Sequence, residues 1–175
     1  KIFHMKRITV QDNELAIVTK NNHIISCLSA GKYWIGFGQE AKIYNMYHEY
    51  NLSYNIDMLL SQTDIAQYID VINVPDGHIT LQFEHDRLAL VLHAGQYIFW
   101  KAPHKNRFET YNITDITIPD SIDQTLIHKP NMAPYIRQYK IEPYEQGLLF
   151  VDGAYKGVLQ PGIYNWFKNP IAIYI

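Results

Sequence analysis

The chain carries eight histidines, the side chain that most often ligates metals and that changes charge near neutral pH. Metal-binding pairs lie two residues apart on a strand or four apart on a helix, as in H-E-x-x-H. His78, His85 and His93 are instead seven and eight residues apart, on strands that a turn at His85-Asp86 folds back on each other. They read as surface or edge residues, with no metal site among them. The carboxylates Glu84, Asp86 and Asp152 fall at hairpin tips, where solvation is the default. Nothing in the pattern holds two of them at the separation of about 5–10 Å that glycoside hydrolysis needs. Ser26, Ser29 and Ser61 lack a G-x-S-x-G context, and the glycines lack phosphate-loop spacing and do not precede a helix. The single Cys27 excludes an internal disulfide and a multi-cysteine zinc site. It reads as a free, buried thiol of a reducing compartment or a bacterial protein. No catalytic, cofactor-binding or metal-binding residue is nominated, no cofactor is implied, and the chain reads as a non-enzyme.

Aromatic residues offer the other route to chemistry. Fourteen Tyr and three Trp could stack on a carbohydrate or peptide through their faces and polar tips. Tyr33, Tyr97 and Tyr164, with Trp34, Trp100 and Trp166, recur beside a glycine, and recurrence of this kind is what packing within a repeated unit produces. Three segments align on that glycine: AIVTKNNHIISCLSAGKYW at 16–34, TLQFEHDRLALVLHAGQYIFW at 80–100 and LLFVDGAYKGVLQPGIYNWF at 148–167. Gly31, Gly95 and Gly162 lie 64 and then 67 residues apart; each has a Leu three positions before it and a Tyr two positions after. The 67-residue offset also carries 43–46 onto 110–113, Leu59-Leu60 onto Leu126-Ile127, and FWKAP at 99–103 onto WFKNP at 166–170. These matches define an internal duplication: a first unit over 7–70, a second over 71–137 and a partial third over 138–175, which stops opposite Phe108 of the second.

The elements that would position these residues follow from periodicity. Ile79, Leu81 and Phe83 alternate with Thr80 and Gln82, the pattern of a half-buried strand. A second strand runs over 87–92, with counterparts at 23–28 and 154–159. The intervening pairs Asn21-Asn22, His85-Asp86 and Asp152-Gly153 suit two-residue hairpin turns. Earlier strands such as 69–74, the Gly-x-Tyr strand and a strand at 41–47 or 106–113 complete a meander of four or five strands. Ile56, Leu59, Leu60 and Thr63 have helical spacing, with Asp64 and Asn131 as N-caps. Pro130, opposite Thr63, predicts two short helices per unit with a break between them. The expected fold is therefore α+β: tandem repeated units, each an antiparallel β-meander with a hairpin followed by one or two short helices.

With 15 Lys+Arg against 17 Asp+Glu, a net charge of −2 and 18% charged residues, the chain has no basic field to attract nucleic acid or an anionic membrane. It has no run near the roughly 20 apolar residues that cross a bilayer. Lys1 rather than Met opens the chain, which points to a preceding segment.

The stretch EPYEQGLLFVDGAYKGVLQPGIYNWFKNP at 142–170 resembles the opening of the stomatin/prohibitin/flotillin (SPFH, or band 7) domain, where two short strands joined by a Gly-containing turn lead to Leu-x-Pro-Gly, an aromatic and a proline. The whole arrangement is similar to the extended amino-terminal region of bacterial slipin-type proteins. The resemblance implies a non-enzymatic scaffold or protein-interaction region of an oligomeric, membrane-associated bacterial protein, at a cytoplasmic or membrane-associated face. Implied partners are further copies of itself and a membrane protease or NfeD-type protein, with no nucleic acid. The membrane hairpin and the rest of the SPFH fold are absent from the chain, so membrane contact is implied only through parts of a longer parent. The alternative reading is a stand-alone carbohydrate- or peptide-binding module that uses exposed Trp and Tyr.

Overall fold

The computed structural model describes residues 5–168 and 173–174. The first copy contributes β1 (Lys6–Val10), β2 (Glu14–Lys20), β3 (His23–Leu28), β4 (Gly31–Ile35), β5 (Gln39–Asn45) and α1 (Ile56–Gln62). The second contributes β6 (Ile69–Val74), β7 (His78–Glu84), β8 (Arg87–Leu92), β9 (Gly95–Trp100), β10 (Asn106–Asn112) and α2 (Gln124–Ile127). The third contributes β11 (Ile136–Ile141), β12 (Gly147–Val151), β13 (Ala154–Leu159), β14 (Gly162–Phe167) and β15 (Ile173–Tyr174).

The architecture is mainly β, which corrects the α+β expectation. Fifteen strands stand against α-helices of seven and four residues among the described residues. Local sequence keeps the helices short. Asn55 Oδ1 accepts the backbone N–H groups of Asp57 and Met58 at 2.9 and 3.1 Å and starts α1. Thr63 ends it, its N–H bonding back to Leu59 O, and its hydroxyl then caps a 3₁₀ turn over Asp64–Gln67. In the second copy Asp123 caps α2, and Pro130 follows before a 3₁₀ turn over Ala133–Tyr135. Thus Thr63, not Asp64, is the cap after the break, and Asn131 instead donates to Ala89 O at 3.4 Å. Helices this short are not stable alone; each is held by one buried aliphatic residue, Leu59 or Ile127.

Nor do the strands of one copy form a simple meander. They divide into a three-stranded sheet with the first hairpin strand at its centre (β3-β2-β5, β10-β7-β8, β13-β12-β15) and a two-stranded ribbon (β1·β4, β6·β9, β11·β14). The ribbon pairs the Gly-x-Tyr strand with the strand that precedes the hairpin.

The duplication is visible in the backbone atom by atom. Asn21-Asn22, His85-Asp86 and Asp152-Gly153 all have positive φ, between 49° and 77°, the type I′ signature that matches strand twist. Each hairpin carries a register shift at the same place: Val18/Thr19, Gln82/Phe83 and Leu149/Phe150. The turn entering each hairpin closes with the same hydrogen bond, from Glu14 N to Gln11 O, His78 N to Pro75 O and Glu145 N to Glu142 O. Tyr68 O accepts from Lys101 N at 2.9 Å, and Tyr135 O from Lys168 N at 2.7 Å.

The recurrent Gly-x-Tyr has a steric cause. Gly31, Gly95 and Gly162 have φ of 157°, 151° and 157°, a region that side chains with a Cβ avoid. The Tyr33 ring lies over Gly31, so that a Cβ there would meet the phenol oxygen at 2.9 Å. At Gly31 the missing side chain thus leaves room for the ring two residues on; at Gly162 the Tyr164 ring stands farther off, 3.9 Å from a Cβ position.

The compact units do not follow the copy boundaries. One comprises Lys1–Asn73 with Gln96–Asn106, the other Val74–Gly95 with Arg107–Ile175. In the first unit, Leu15 and Ile17 of β2, Ile24 of β3 and Tyr44 of β5 pack with Leu59, Ile65, Ile69 of β6 and Trp100 of β9. In the second, Ile79, Leu81 and Phe83 of β7 and Leu88 of β8 pack with Ile122, Ile127, Met132 and Phe167 of β14. Each core therefore joins the sheet of one copy to the ribbon of the next.

The central strands of the first two copies are buried on both faces: Ala16 and Val18 in β2, Thr80 and Gln82 in β7. The half-buried reading of β7 fails here, and Thr80 meets its polar need by a 2.8 Å hydroxyl contact with Thr110. Gly31→Ala is expected to lower stability by about 1–3 kcal/mol through backbone strain at this φ, measured by denaturant unfolding. Gly153→Ala, at φ 77° with nothing near a new Cβ, carries the backbone strain without the ring clash and should cost less than Gly31→Ala.

Candidate interaction surfaces

The polar residues singled out by type do not converge. His85 and Asp86 occupy the β7–β8 turn and are exposed, as is His93. The His78 Nδ1 instead bonds Asp76 O at 3.0 Å within its own turn. No group of three His, Cys, Asp or Glu residues is placed to hold a metal among the described residues. Glu84 and Asp86 lie at one hairpin tip and Asp152 at another. Ser26 lies on β3, Ser29 follows it, and Ser61 on α1 donates to Met58 O. Cys27 packs against the first core. Burial, and secondarily the Asp64 carboxylate, pushes its thiol up to about 12, so it stays protonated and unreactive near neutral pH.

One charged cluster escaped the sequence reading. Arg107 on β10 lies over the Phe83 ring at 4.1 Å and pairs with Asp86 and Glu109, and Tyr111 donates to Glu109 at 2.8 Å. Period-2 spacing of Arg107, Glu109 and Tyr111 was the available signal. Arg107 and Asp86 are substantially exposed, so the ion pair contributes little to stability.

The three tryptophans occupy three different environments. Trp100 is buried, its ring 5.2 Å from that of Tyr50. Trp166 is half-buried, stacked on Tyr164 at 5.7 Å and tilted against Tyr139 at 5.5 Å. Trp34 is exposed. The glycine-aligned positions differ by one or two residues, and in a strand a one-residue step reverses the face. Of the three indoles only that of Trp34 is exposed.

Inside the first unit a tyrosine group, Tyr44, Tyr50 and Tyr54, lies beside Trp100. Tyr50 Oη and Trp100 Nε1 are buried with no hydrogen-bond partner among the described residues. Desolvation, and then Tyr44, pushes the Tyr50 phenol up to about 12. Tyr44 and Tyr54 are raised by burial too, while a mutual hydrogen bond lowers Tyr44. An unpaired buried hydroxyl costs about 1–3 kcal/mol. Tyr50→Phe is therefore expected to stabilise the protein by about 1 kcal/mol at neutral pH. Because the native phenol holds its proton while the unfolded one loses it near pH ~10, stability should fall as pH rises from about 10 to about 12. Denaturant midpoints measured across that range, with Tyr50→Phe showing a shallower decline, check both statements.

No family model, curated protein or solved structure matches this chain.

Proposed function

We propose that the chain is a non-enzymatic, tandem-repeat scaffold region that works by presenting surfaces to other protein subunits, within a slipin-like, membrane-associated bacterial assembly. The observation that carries this reading is the construction of each core from the sheet of one copy and the ribbon of the next. In such arrays each unit buries its apolar faces only against a neighbour, so surfaces at the ends stay available for partners. Edge strands support the same reading: Ile25 on β3, Ile43 on β5 and Leu90 on β8 are large exposed apolar residues on strands that flank a central one, where another chain can add.

Further copies of the chain are the first partners under this reading; a membrane protease or NfeD-type protein is the second class, by the resemblance of residues 142–170. Membrane attachment belongs to a longer parent protein. The alternative, a stand-alone carbohydrate- or peptide-binding module, rests on the exposed rings of Trp34, Tyr47, Tyr144 and Tyr155.

Sedimentation equilibrium of the purified chain tests the scaffold reading. The expected result is a mass that rises with concentration in the micromolar range; a constant monomer mass would count against self-association.

A further inference from the structure

The first two copies treat one equivalent place differently. In both, the second hairpin strand carries a bulge. Val18 faces Ser26 and Thr19 faces Ile24, which leaves Ile25 over; Gln82 faces Leu90 and Phe83 faces Leu88, which leaves Ala89 over. A bulge residue drops out of the ladder, so its backbone groups need other partners. In the second copy Asn131 supplies one, its Nδ2 donating to Ala89 O at 3.4 Å. The aligned residue of the first copy is Asp64, 67 positions earlier. A carboxylate has no hydrogen to give and cannot close onto the Ile25 carbonyl in the same way.

The result is an open groove between β3 and the end of α1, lined by Ile25, Ser26 and Cys27 on one side and by residues 60–64 on the other. Asp64 acts on the Cys27 thiol from the facing wall, so its charge is felt across the groove. Its carboxylate has no hydrogen bond or ion pair among the described residues. Lys101 reaches the same 3₁₀ turn but donates to Ala66 O at 2.9 Å. The helix α1 ends on the groove with no basic residue in its last turn, and the carbonyl end of a helix favours a cation. The second copy, by contrast, carries His128 and Lys129 where the first has Ser61 and Gln62. Oxygen acceptors and negative charge therefore converge in the first copy, while Ile25 and Leu60 stand exposed as apolar flanks.

We propose that this groove receives a lysine side chain of a partner protein, its ammonium on Asp64 and its methylene stem along Ile25 and Leu60. A compact ammonium with three donors suits acceptors that come from several directions, whereas the planar arginine fork suits one bidentate partner. Its stem packs along apolar surface while the head stays on polar atoms. Asp64 is the one carboxylate in the lining among the described residues, which matches a single cation and not a polyamine. The site gives the partner surface of the scaffold reading a specific chemistry; it rests on that reading for the source of the lysine, not for the binding of the amine.

Nuclear magnetic resonance titration of the isotope-labelled chain with Nα-acetyl-lysine N-methylamide tests the site. The expected result is amide shifts at residues 25–27 and 60–64 that saturate in the millimolar range at neutral pH, with none at the equivalent residues 89–91 and 127–131. The same probe acetylated on its side-chain nitrogen has lost the charge and should give none. Asp64→Asn, whose amide can take the Ile25 carbonyl as Asn131 takes that of Ala89, should weaken binding about tenfold. The acetylated probe makes the same comparison on the unaltered chain, whatever the folding of the variant. Putrescine should bind comparably to the lysine probe; markedly tighter binding would assign the groove to a free polyamine and overturn the lysine. Shifts that are absent or do not saturate, equal binding of the acetylated probe, or unchanged affinity in folded Asp64→Asn would each overturn the site and leave the scaffold reading to its own sedimentation test.

Discussion

The structure depends on a large aromatic side chain at the end of a two-stranded ribbon, inserted into the apolar face of the preceding copy's sheet. Trp100 does this in one core and Phe167 in the other. Each residue also marks where its copy is anchored, because the next backbone N–H, of Lys101 or Lys168, bonds the carbonyl of Tyr68 or Tyr135 beside the 3₁₀ turn. Side-chain burial and backbone pairing thus fix the same point. A two-stranded ribbon is marginal by itself; seated with the short helices on the three-stranded sheet, it closes each core.

That arrangement determines how much irregularity the rest tolerates. The helical segments need only supply one aliphatic residue each, so a seven-residue helix in one copy and a four-residue helix in the other do the same job. The hairpins admit no such latitude, since a one-residue slip would turn every core residue outward. Their turns and register shifts are accordingly repeated three times. Within the first core, Tyr50 and Trp100 carry buried polar atoms without partners among the described residues, so packing there prevails over hydrogen-bond satisfaction.

Much of the fold was legible in the residues. The two-residue turns declared themselves through Asn21-Asn22, His85-Asp86 and Asp152-Gly153, because few residue pairs tolerate two positive φ angles in succession. The glycine alignment identified equivalent strands, and the break near Thr63 and Pro130 held. The division of each copy into sheet and ribbon was not legible, because strand pairing across distant segments leaves no local signature. Helix content was overstated for a related reason: Ile56, Leu59 and Leu60 do have helical spacing, but the pattern does not say where a cap ends the turn. Alternation in β7 suggested a solvent face, whereas Thr80 and Gln82 are covered. The Arg107 cluster was missed because Phe83 and Asp86 reach it from β7 and the β7–β8 turn, far away in sequence, although Glu109 and Tyr111 share its strand.

The central claim is that the sheet of one copy and the ribbon of the next form one cooperative unit. Amide hydrogen exchange separates this from folding copy by copy, since it reports opening region by region. In Trp100→Ala, the account predicts lost protection in β2, β3, α1 and the β6·β9 ribbon, with β7, β8 and α2 close to the unaltered protein. Loss of protection concentrated in β7 and β8, the hairpin of the copy to which Trp100 belongs in sequence, would contradict it.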